Sequence, residues 1–188
     1  MNRSKKALNA ASLLLVLLLP LMLAPKALVG QVIPALERPA DVSVFGQFTY
    51  GHSDWGKAAI YGYTVGGFLQ TSHIIGVVVR GSALRYGGLD HQYSALAGVR
   101  AGMHFSRFSP YAAALGGVGH ARWGFGAIPQ QTGIGPEWSF LGGVDMYAGH
   151  RFSVRLGEIS YSKIYVLQHG LTPMSYSGGI VYRLPFWH

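Results

Sequence analysis

The sequence predicts an all-β fold, an eight-stranded antiparallel up-and-down β-barrel that follows an N-terminal export signal. Composition is the first observation: the 188 residues include 27 glycines and 11 tyrosines but only 12% charged residues, about half the usual ~25%. Second, residues beyond Asp41 alternate between apolar and polar types at period two, which is typical of strands rather than helices. Third, the predicted connections alternate between long and short, as in a barrel whose strands are joined in sequence order.

The first 40 residues are predicted to precede the barrel. Residues 1–30 combine a basic start (Arg3, Lys5 and Lys6) with an apolar run over 12–23, the pattern of a secretory signal peptide. That run is shorter than the ~20 residues that a membrane-spanning helix needs, so an uncleaved membrane anchor is the less favoured alternative. Residues 31–40 are predicted to be an N-terminal tail, and residues 41–188 the barrel domain.

Charge and side-chain chemistry exclude several classes of function. The formal net charge of +8 falls to +4 when residues 1–30, with four of the 15 Lys and Arg, are removed, which leaves little electrostatic basis for a nucleic-acid partner. The chain has no cysteine, which excludes disulfides, thiolate zinc sites and cysteine nucleophiles. Its eight histidines are scattered without the spacing of a metal site. We therefore assign no catalytic, cofactor-binding or metal-binding residues.

The first, third and fourth predicted strands each have one apolar face and one polar or small face. In the second strand, near 58–70, glycines make the alternation less clear. The apolar positions are Val42, Val44, Phe48, Tyr50, Ile75, Val77, Val79, Ala95, Ala97, Val99, Ala101, Met103 and Phe105. The opposite positions are Ser43, Gln47, Thr49, Gly76, Arg80, Ser82, Gly98, Arg100, Gly102 and His104.

The last four predicted strands continue the pattern less regularly. In the fifth, Tyr111, Ala113, Leu115 and Trp123 oppose His120 and Arg122; the sixth and seventh, near 138–149 and 152–165, are blurred by small residues. The eighth is the clearest, with the apolar face Tyr176, Ile180, Tyr182, Leu184 and Phe186 and the opposite face Ser175, Ser177, Gly179, Val181 and Arg183. Long connections are predicted near 51–57, 85–91, 123–137 and 166–173, and short ones near 70–73, 106–109 and 149–151.

A membrane barrel and a soluble carrier barrel show the same alternation of apolar and polar residues, so the chemistry of the polar face has to decide between them. A water-facing surface carries many interspersed Lys and Glu, but only Lys57 and Lys163 occur after the tail. We therefore predict that the apolar face meets lipid and that the polar face fills the lumen. The predicted polar lumen residues are Arg80, Arg100, Arg122, Asp145, Arg155, Glu158 and Arg183. The predicted aromatic girdle at the membrane interfaces is Tyr50, Tyr111, Trp123, Tyr176 and Phe186.

Asp145 and Glu158 are expected to be the acidic residues inside the strands, and a buried charge needs a partner. We expect each to bind an arginine from the lumen set. Arg155 and Glu158 are three residues apart, which places them on opposite faces of a regular strand. Either a bulge near Gly157 turns both inward, or one of the two reaches the solvated barrel rim.

Five segments resemble the OmpA-like/OmpX-like outer-membrane β-barrel proteins, in their order and spacing over 40–186: residues 41–46, 109–117, 140–145, 152–156 and 160–161. The resemblance implies an outer-membrane location reached through the periplasm, contact with outer-membrane lipid, and an extracellular ligand of unknown identity. Tyr182, Leu184 and Phe186 resemble the C-terminal signal that the barrel-insertion machinery reads.

The predicted function is non-enzymatic: an integral barrel with a structural or surface-interaction role. One alternative is a narrow pore, although eight strands enclose an interior just wide enough for side chains. Another is a lipid A-modifying outer-membrane hydrolase, because Tyr161–Ser162 resembles the nucleophile region of the barrel deacylases. That reading lacks a base at Ser160, and His169 is not a matched position. A soluble periplasmic carrier is the third alternative.

Overall fold

A computed structural model describes residues 41–52, 59–86, 91–125, 128–166 and 170–185. In these ranges eight antiparallel strands close into a barrel, with each strand paired to its sequence neighbour and β8 paired to β1. The strands are β1 Asp41–His52, β2 Ala59–Gln70, β3 Ile75–Tyr86, β4 His91–Gly102, β5 Phe108–Phe125, β6 Ile128–Tyr147, β7 Phe152–Ile164 and β8 Met174–Arg183. The predicted fold class is confirmed.

Some predictions concern residues outside the described ranges: the signal peptide over 1–30, the tail over 31–40, the middle of three long connections, and Phe186. The side chain of Trp123 is also not described. No helix within the described residues is both long and apolar enough to span a membrane.

The connections give the barrel two different ends. Three short turns, 71–74, 103–107 and 148–151, lie together at what we call the turn end. The opposite end carries the connections between β1 and β2, β3 and β4, β5 and β6, and β7 and β8. There β5 and β6, of 18 and 20 residues, run beyond their neighbours, and we call this the hairpin end.

The long loop predicted over 123–137 is wrong. Residues in this range belong to a hairpin in which Trp123 pairs with Gln131 and Phe125 with Ile128, around a register shift. Glycine and proline in the sequence favoured a loop. At Gly135, however, the absence of a side chain permits a close approach of strands, because an added Cβ would collide with the backbone oxygen of Tyr165.

The exposed and buried faces have the reverse of a soluble protein's polarity. Val99 and Ile180 are 55% and 59% exposed, whereas Arg100, next to Val99 in β4, is 5% exposed. The burial of β1 alternates residue by residue in the same sense, with Gln47 inside and Phe48 outside. Apolar side chains therefore form the outer belt of the barrel, and charged and hydroxyl side chains fill its lumen.

Two glycines on adjacent strands provide a test of strand packing. A Cβ on Gly98 of β4 would collide with the backbone oxygen of Ala114 in β5, whereas a Cβ on Gly116 would meet nothing within 4 Å. We expect Gly98→Ala to lower the free energy of unfolding by about 1–3 kcal/mol, the usual cost of forced overpacking. Gly116→Ala is the matched control and is expected to be neutral or slightly stabilising. Urea unfolding of both refolded variants measures the difference, and equal effects would contradict this packing.

Candidate functional site

A single arginine forms the centre of the charged network that crosses the barrel lumen. The Nε atom of Arg155 donates to Asp145 Oδ1 at 2.8 Å, and its Nη2 donates to Oδ2 at 3.3 Å. Its Nη1 donates to Glu158 Oε2 at 3.1 Å and to Gln47 Oε1 at 2.9 Å. The two carboxylates lie at 4% and 3% exposure, so this guanidinium neutralises negative charge that water does not reach.

A β-bulge brings both ends of this pair into the lumen. The β7–β8 register shifts between Arg155 and Glu158, and the β6–β7 register shifts at Val144/Asp145. Leu156 and Gly157 are both exposed, so the strand holds an extra outward residue and Glu158 returns to the inner face. Of the two alternatives, a bulge near Gly157 or a partner at the solvated rim, the structure has the bulge.

Two further arginines extend the network on either side. Arg100 Nη2 lies 2.9 Å from Asp145 Oδ2, and Arg80 Nη1 lies 3.0 Å from Glu158 Oε1. The charges thus alternate in sign from Arg100 through Asp145, Arg155 and Glu158 to Arg80. Alternation gives Asp145 and Glu158 two cationic partners each, which is the arrangement that a low-dielectric interior requires.

Aromatic rings hold the guanidinium groups in place. The Cζ of Arg100 lies 3.9 Å from the ring centroids of both Phe68 and Tyr111. The Cζ of Arg155 lies 4.5 Å from the ring centroid of Phe45. Tyr111 Oη also donates to Glu158 Oε2 at 2.6 Å. These contacts combine cation–π attraction with hydrogen bonding and restrict the arginines to one arrangement.

Tyr111 is thus a lumen residue, which corrects its assignment to the aromatic girdle and to the lipid face. It is 7% exposed and packs with the buried apolar residues Ala113 and Leu115 of the same strand. The sequence pattern predicts that His120 and Arg122, and not Tyr111, face the lumen in β5. Tyrosine suits either environment because it joins an apolar ring to a hydrogen-bonding hydroxyl.

The lumen assignment of Arg122 is wrong. Its strand neighbour Ala121 is fully buried, and alternation turns Arg122 to the outer face, where it is partly exposed. Arg122 pairs in register with His91 near the hairpin end of the barrel. An outward arginine is tolerated at that height because it lies beyond the apolar belt.

Arg183 lies at the turn-end mouth rather than within the network. Its side chain is 39% exposed, and Nε is 3.6 Å from Asp41 Oδ2. His104, in the turn after β4, stacks on Tyr147 with ring centroids 6.2 Å apart. Partial burial and the nearby Arg183 guanidinium lower the pKa of the His104 imidazole, so this mouth disfavours a second positive charge on that ring.

Glu137 is a third buried carboxylate, and it is absent from the predicted lumen set because the sequence predicts a loop over 123–137. It is 4% exposed and accepts a hydrogen bond from the Ser94 hydroxyl. It belongs to a layer of hydroxyl side chains between the charged network and the hairpin end. Hydrogen bonds of 2.6–2.9 Å join Thr49 to Thr64 and Ser177, Ser160 to Ser175, and Ser162 to Ser139.

An apolar cluster closes the lumen at the hairpin end. Its members are Ile60, Leu84, Ala121, Ile164, Val166 and Leu171, all of them 5% exposed or less. Among the described residues, free space in the lumen includes a cavity of about 20 Å³ in the hydroxyl layer and a recess of about 40 Å³ at the turn-end mouth. Such volumes hold one or a few water molecules, which fits a packed interior.

Two further features of the described side chains concern metal binding and hydrolysis. The described residues hold no group of three or more His, Asp or Glu that could bind a metal ion. Ser162, the candidate nucleophile of the hydrolase alternative, is buried in the lumen and donates to Ser139 Oγ at 2.9 Å. A lipid substrate outside the barrel would not reach this hydroxyl from the outer face.

No family model and no curated protein sequence matches the chain. Solved structures match over most of its length. Neisserial surface protein A aligns at a TM-score of 0.62 and 14% identity, covering 77% of this chain and 97% of that one. OprG from Pseudomonas aeruginosa aligns at 0.54 and 12%, covering 80% and 98%. Ail, the attachment invasion locus protein of Yersinia pestis, aligns at 0.53 and 15%, covering 77% and 97%.

Proposed function

We propose that this chain, which has the eight-stranded fold of the small OmpA-like and OmpX-like outer-membrane barrels, is an integral outer-membrane protein with a structural or surface-interaction role. The inverted polarity of the barrel is the observation that carries the proposal. Large apolar side chains such as Val99 and Ile180 face outward, while Arg80, Arg155 and Glu158 are buried inside. Water would solvate such an outer belt poorly, whereas a bilayer's hydrocarbon core matches it.

Export and insertion follow from the two chain ends. Residues 1–30 would direct the chain to the periplasm, and the barrel-insertion machinery would read Tyr182, Leu184 and Phe186. Leu184 is 37% exposed, and Tyr182 is partly exposed on the outward face of β8, as an alternating apolar signal requires. Short turns face the periplasm in this class of barrel, so the turn end would be periplasmic and the hairpin end extracellular.

The extended β5–β6 hairpin is the part best suited to contact an extracellular ligand. Its strands are 18 and 20 residues long, whereas the other six have 10–13. Among structural neighbours, one is named a surface protein and another an attachment invasion locus protein that was solved with a heparin analogue, sucrose octasulfate. These names support a surface-interaction role here.

Membrane extraction tests the proposal directly. The full chain, expressed with its N-terminal residues in a Gram-negative host, is expected in outer-membrane fractions and to be released by detergent but not by alkaline carbonate. Recovery in the aqueous fraction without detergent would instead indicate the soluble periplasmic carrier and would overturn the proposal.

The narrow-pore alternative predicts a current that we do not expect. The Arg100–Asp145–Arg155–Glu158–Arg80 network crosses the lumen, and the apolar cluster with Ile60 and Ile164 fills its hairpin end. We therefore expect planar bilayers containing the refolded protein to show no discrete conductance steps. Reproducible unitary steps, absent from protein-free bilayers, would favour the pore.

A further inference from the structure

Three basic side chains lie next to one another on the outer surface near the hairpin end. Arg85 of β3 pairs in register with His91 of β4, which pairs on its other side with Arg122 of β5. The strand neighbours of these three residues are all buried: Leu84, Gln92 and Ala121. Since side chains alternate across a strand, all three basic residues are directed away from the lumen.

An aromatic surface adjoins this basic row on the side toward the middle of the barrel. Tyr93 and His120, also paired in register, have ring centroids 6.1 Å apart, and His91 stacks on His120 at 5.6 Å. Tyr93 is 46% exposed. A tyrosine, with an apolar ring and a polar hydroxyl, is typical of the boundary between hydrocarbon and headgroups, and His120 packs beside it.

The apolar belt adjoins these rings. Val118, two residues from His120 toward the turn end of β5, is outward and 54% exposed. Ile134 of β6, which pairs with His120, is outward and 76% exposed, and Phe140 follows it toward the turn end. Along β5 the order from the hairpin end is therefore the basic Arg122, the His120 ring and the apolar Val118. Under the membrane orientation proposed above, the basic row lies at the level of the headgroups in the extracellular leaflet.

The spacing of the row suits a single phosphate group. Neighbouring strands lie about 4.8 Å apart, so the Cα atoms of Arg85 and Arg122 are separated by roughly 10 Å across His91. Both guanidinium groups can converge on one anion from this distance, because the arginine side chain is long and its fork matches phosphate oxygens. His91 lies between them in the strand register, and its ring stacks on that of His120.

We propose that Arg85, His91 and Arg122 bind the phosphate group of an anionic lipid in the extracellular leaflet, while Tyr93 and His120 pack against the adjoining headgroup. This inference rests on the proposed outer-membrane function, which supplies the lipid. A lipid is favoured over free phosphate because the site adjoins the apolar belt, where acyl chains lie along the barrel wall.

Lipid retention measured by native mass spectrometry tests the inference. Refolded protein is reconstituted into vesicles of equimolar phosphatidylcholine and phosphorylated lipid A, and then extracted into mild detergent. The unsubstituted protein is expected to retain the phosphorylated lipid preferentially. Arg85→Gln and Arg122→Gln are each expected to reduce its retention about fivefold, and the double variant about 30-fold, from the usual contribution of one surface arginine to anionic-lipid binding. Arg107→Gln, an exposed arginine in a turn at the other end, is the matched control and is expected to leave retention unchanged.

Two further measurements, vesicle flotation and competition by inorganic phosphate, separate the possible outcomes. Vesicle flotation is scored first for every variant: protein that never floats with vesicles contradicts the proposed function, whereas protein that floats but retains both lipids equally contradicts only the lipid site. Inorganic phosphate is then added to the extracted complex. Displacement of the lipid by millimolar phosphate would identify a general anion site and overturn the lipid assignment, and retention supports it.

Discussion

Replacement of Val99 with arginine is expected to lower the free energy of unfolding of the reconstituted barrel by about 2–4 kcal/mol. Val99 lies on the outer face of β4, 55% exposed, between Val77 and Ala114 on the neighbouring strands. A guanidinium placed there would have to enter hydrocarbon without a partner. Ile180→Arg, on the outer face of β8, is expected to have a similar effect.

Ile74→Arg provides the control for this prediction. Ile74 is 47% exposed, comparable to Val99, but it belongs to the 71–74 turn at one end of the barrel. An arginine there can reach headgroups and water, so the expected loss is at most about 1 kcal/mol. Urea unfolding in vesicles measures all three variants. A loss for Val99→Arg no larger than that for Ile74→Arg would show that the outer face does not lie in hydrocarbon.

Arg155→Met is expected to destabilise the barrel by about 3–5 kcal/mol, the usual cost of breaking a buried ion pair from one side. Arg155 binds Asp145, Glu158 and Gln47 together. Its removal leaves two buried carboxylates with one cation each, Arg100 and Arg80. Methionine approximates the length of the side chain, so the loss reports the missing charge and hydrogen bonds more than a missing volume.

Arg183→Gln is the matched control for the network. It also removes an arginine from an ion pair, but this pair with Asp41 is long, at 3.6 Å, and its side chain is 39% exposed. The expected loss is therefore below about 1 kcal/mol. Equal losses for Arg155→Met and Arg183→Gln in the same unfolding experiment would contradict the central role of Arg155.

The sequence contained enough information to predict the fold and part of the lumen. Period-two alternation identified the strands, because each residue of a barrel strand meets one of two very different environments. The sequence narrowed the β7 backbone to two alternatives, because burying Arg155 and Glu158 three residues apart on one face requires an extra residue and otherwise one of them reaches the rim. The structure was needed to choose the bulge.

The errors have physical causes in particular residues. The sequence predicts a loop where the β5–β6 hairpin lies, because glycines that permit close strand approach, such as Gly135, are also frequent in loops. Glu137 was then missed as a buried carboxylate. The sequence predicts the wrong faces of β5 for Arg122 and Tyr111. An arginine faces the lumen only at positions within the apolar belt, and Arg122 lies beyond it. The position where the belt ends depends on strand tilt and register, which the residue pattern of one strand does not contain.

Single-cysteine labelling in vesicles tests the central claim, the inverted polarity of the barrel, most directly. The chain has no cysteine of its own, so a fluorophore can be attached separately at positions 99, 100, 180 and 183. We expect a quencher dissolved in the lipid phase to quench the probes at 99 and 180 strongly and those at 100 and 183 weakly. Strong quenching at 100 and 183 with protection at 99 and 180 would reverse the face assignment and contradict the outer-membrane function.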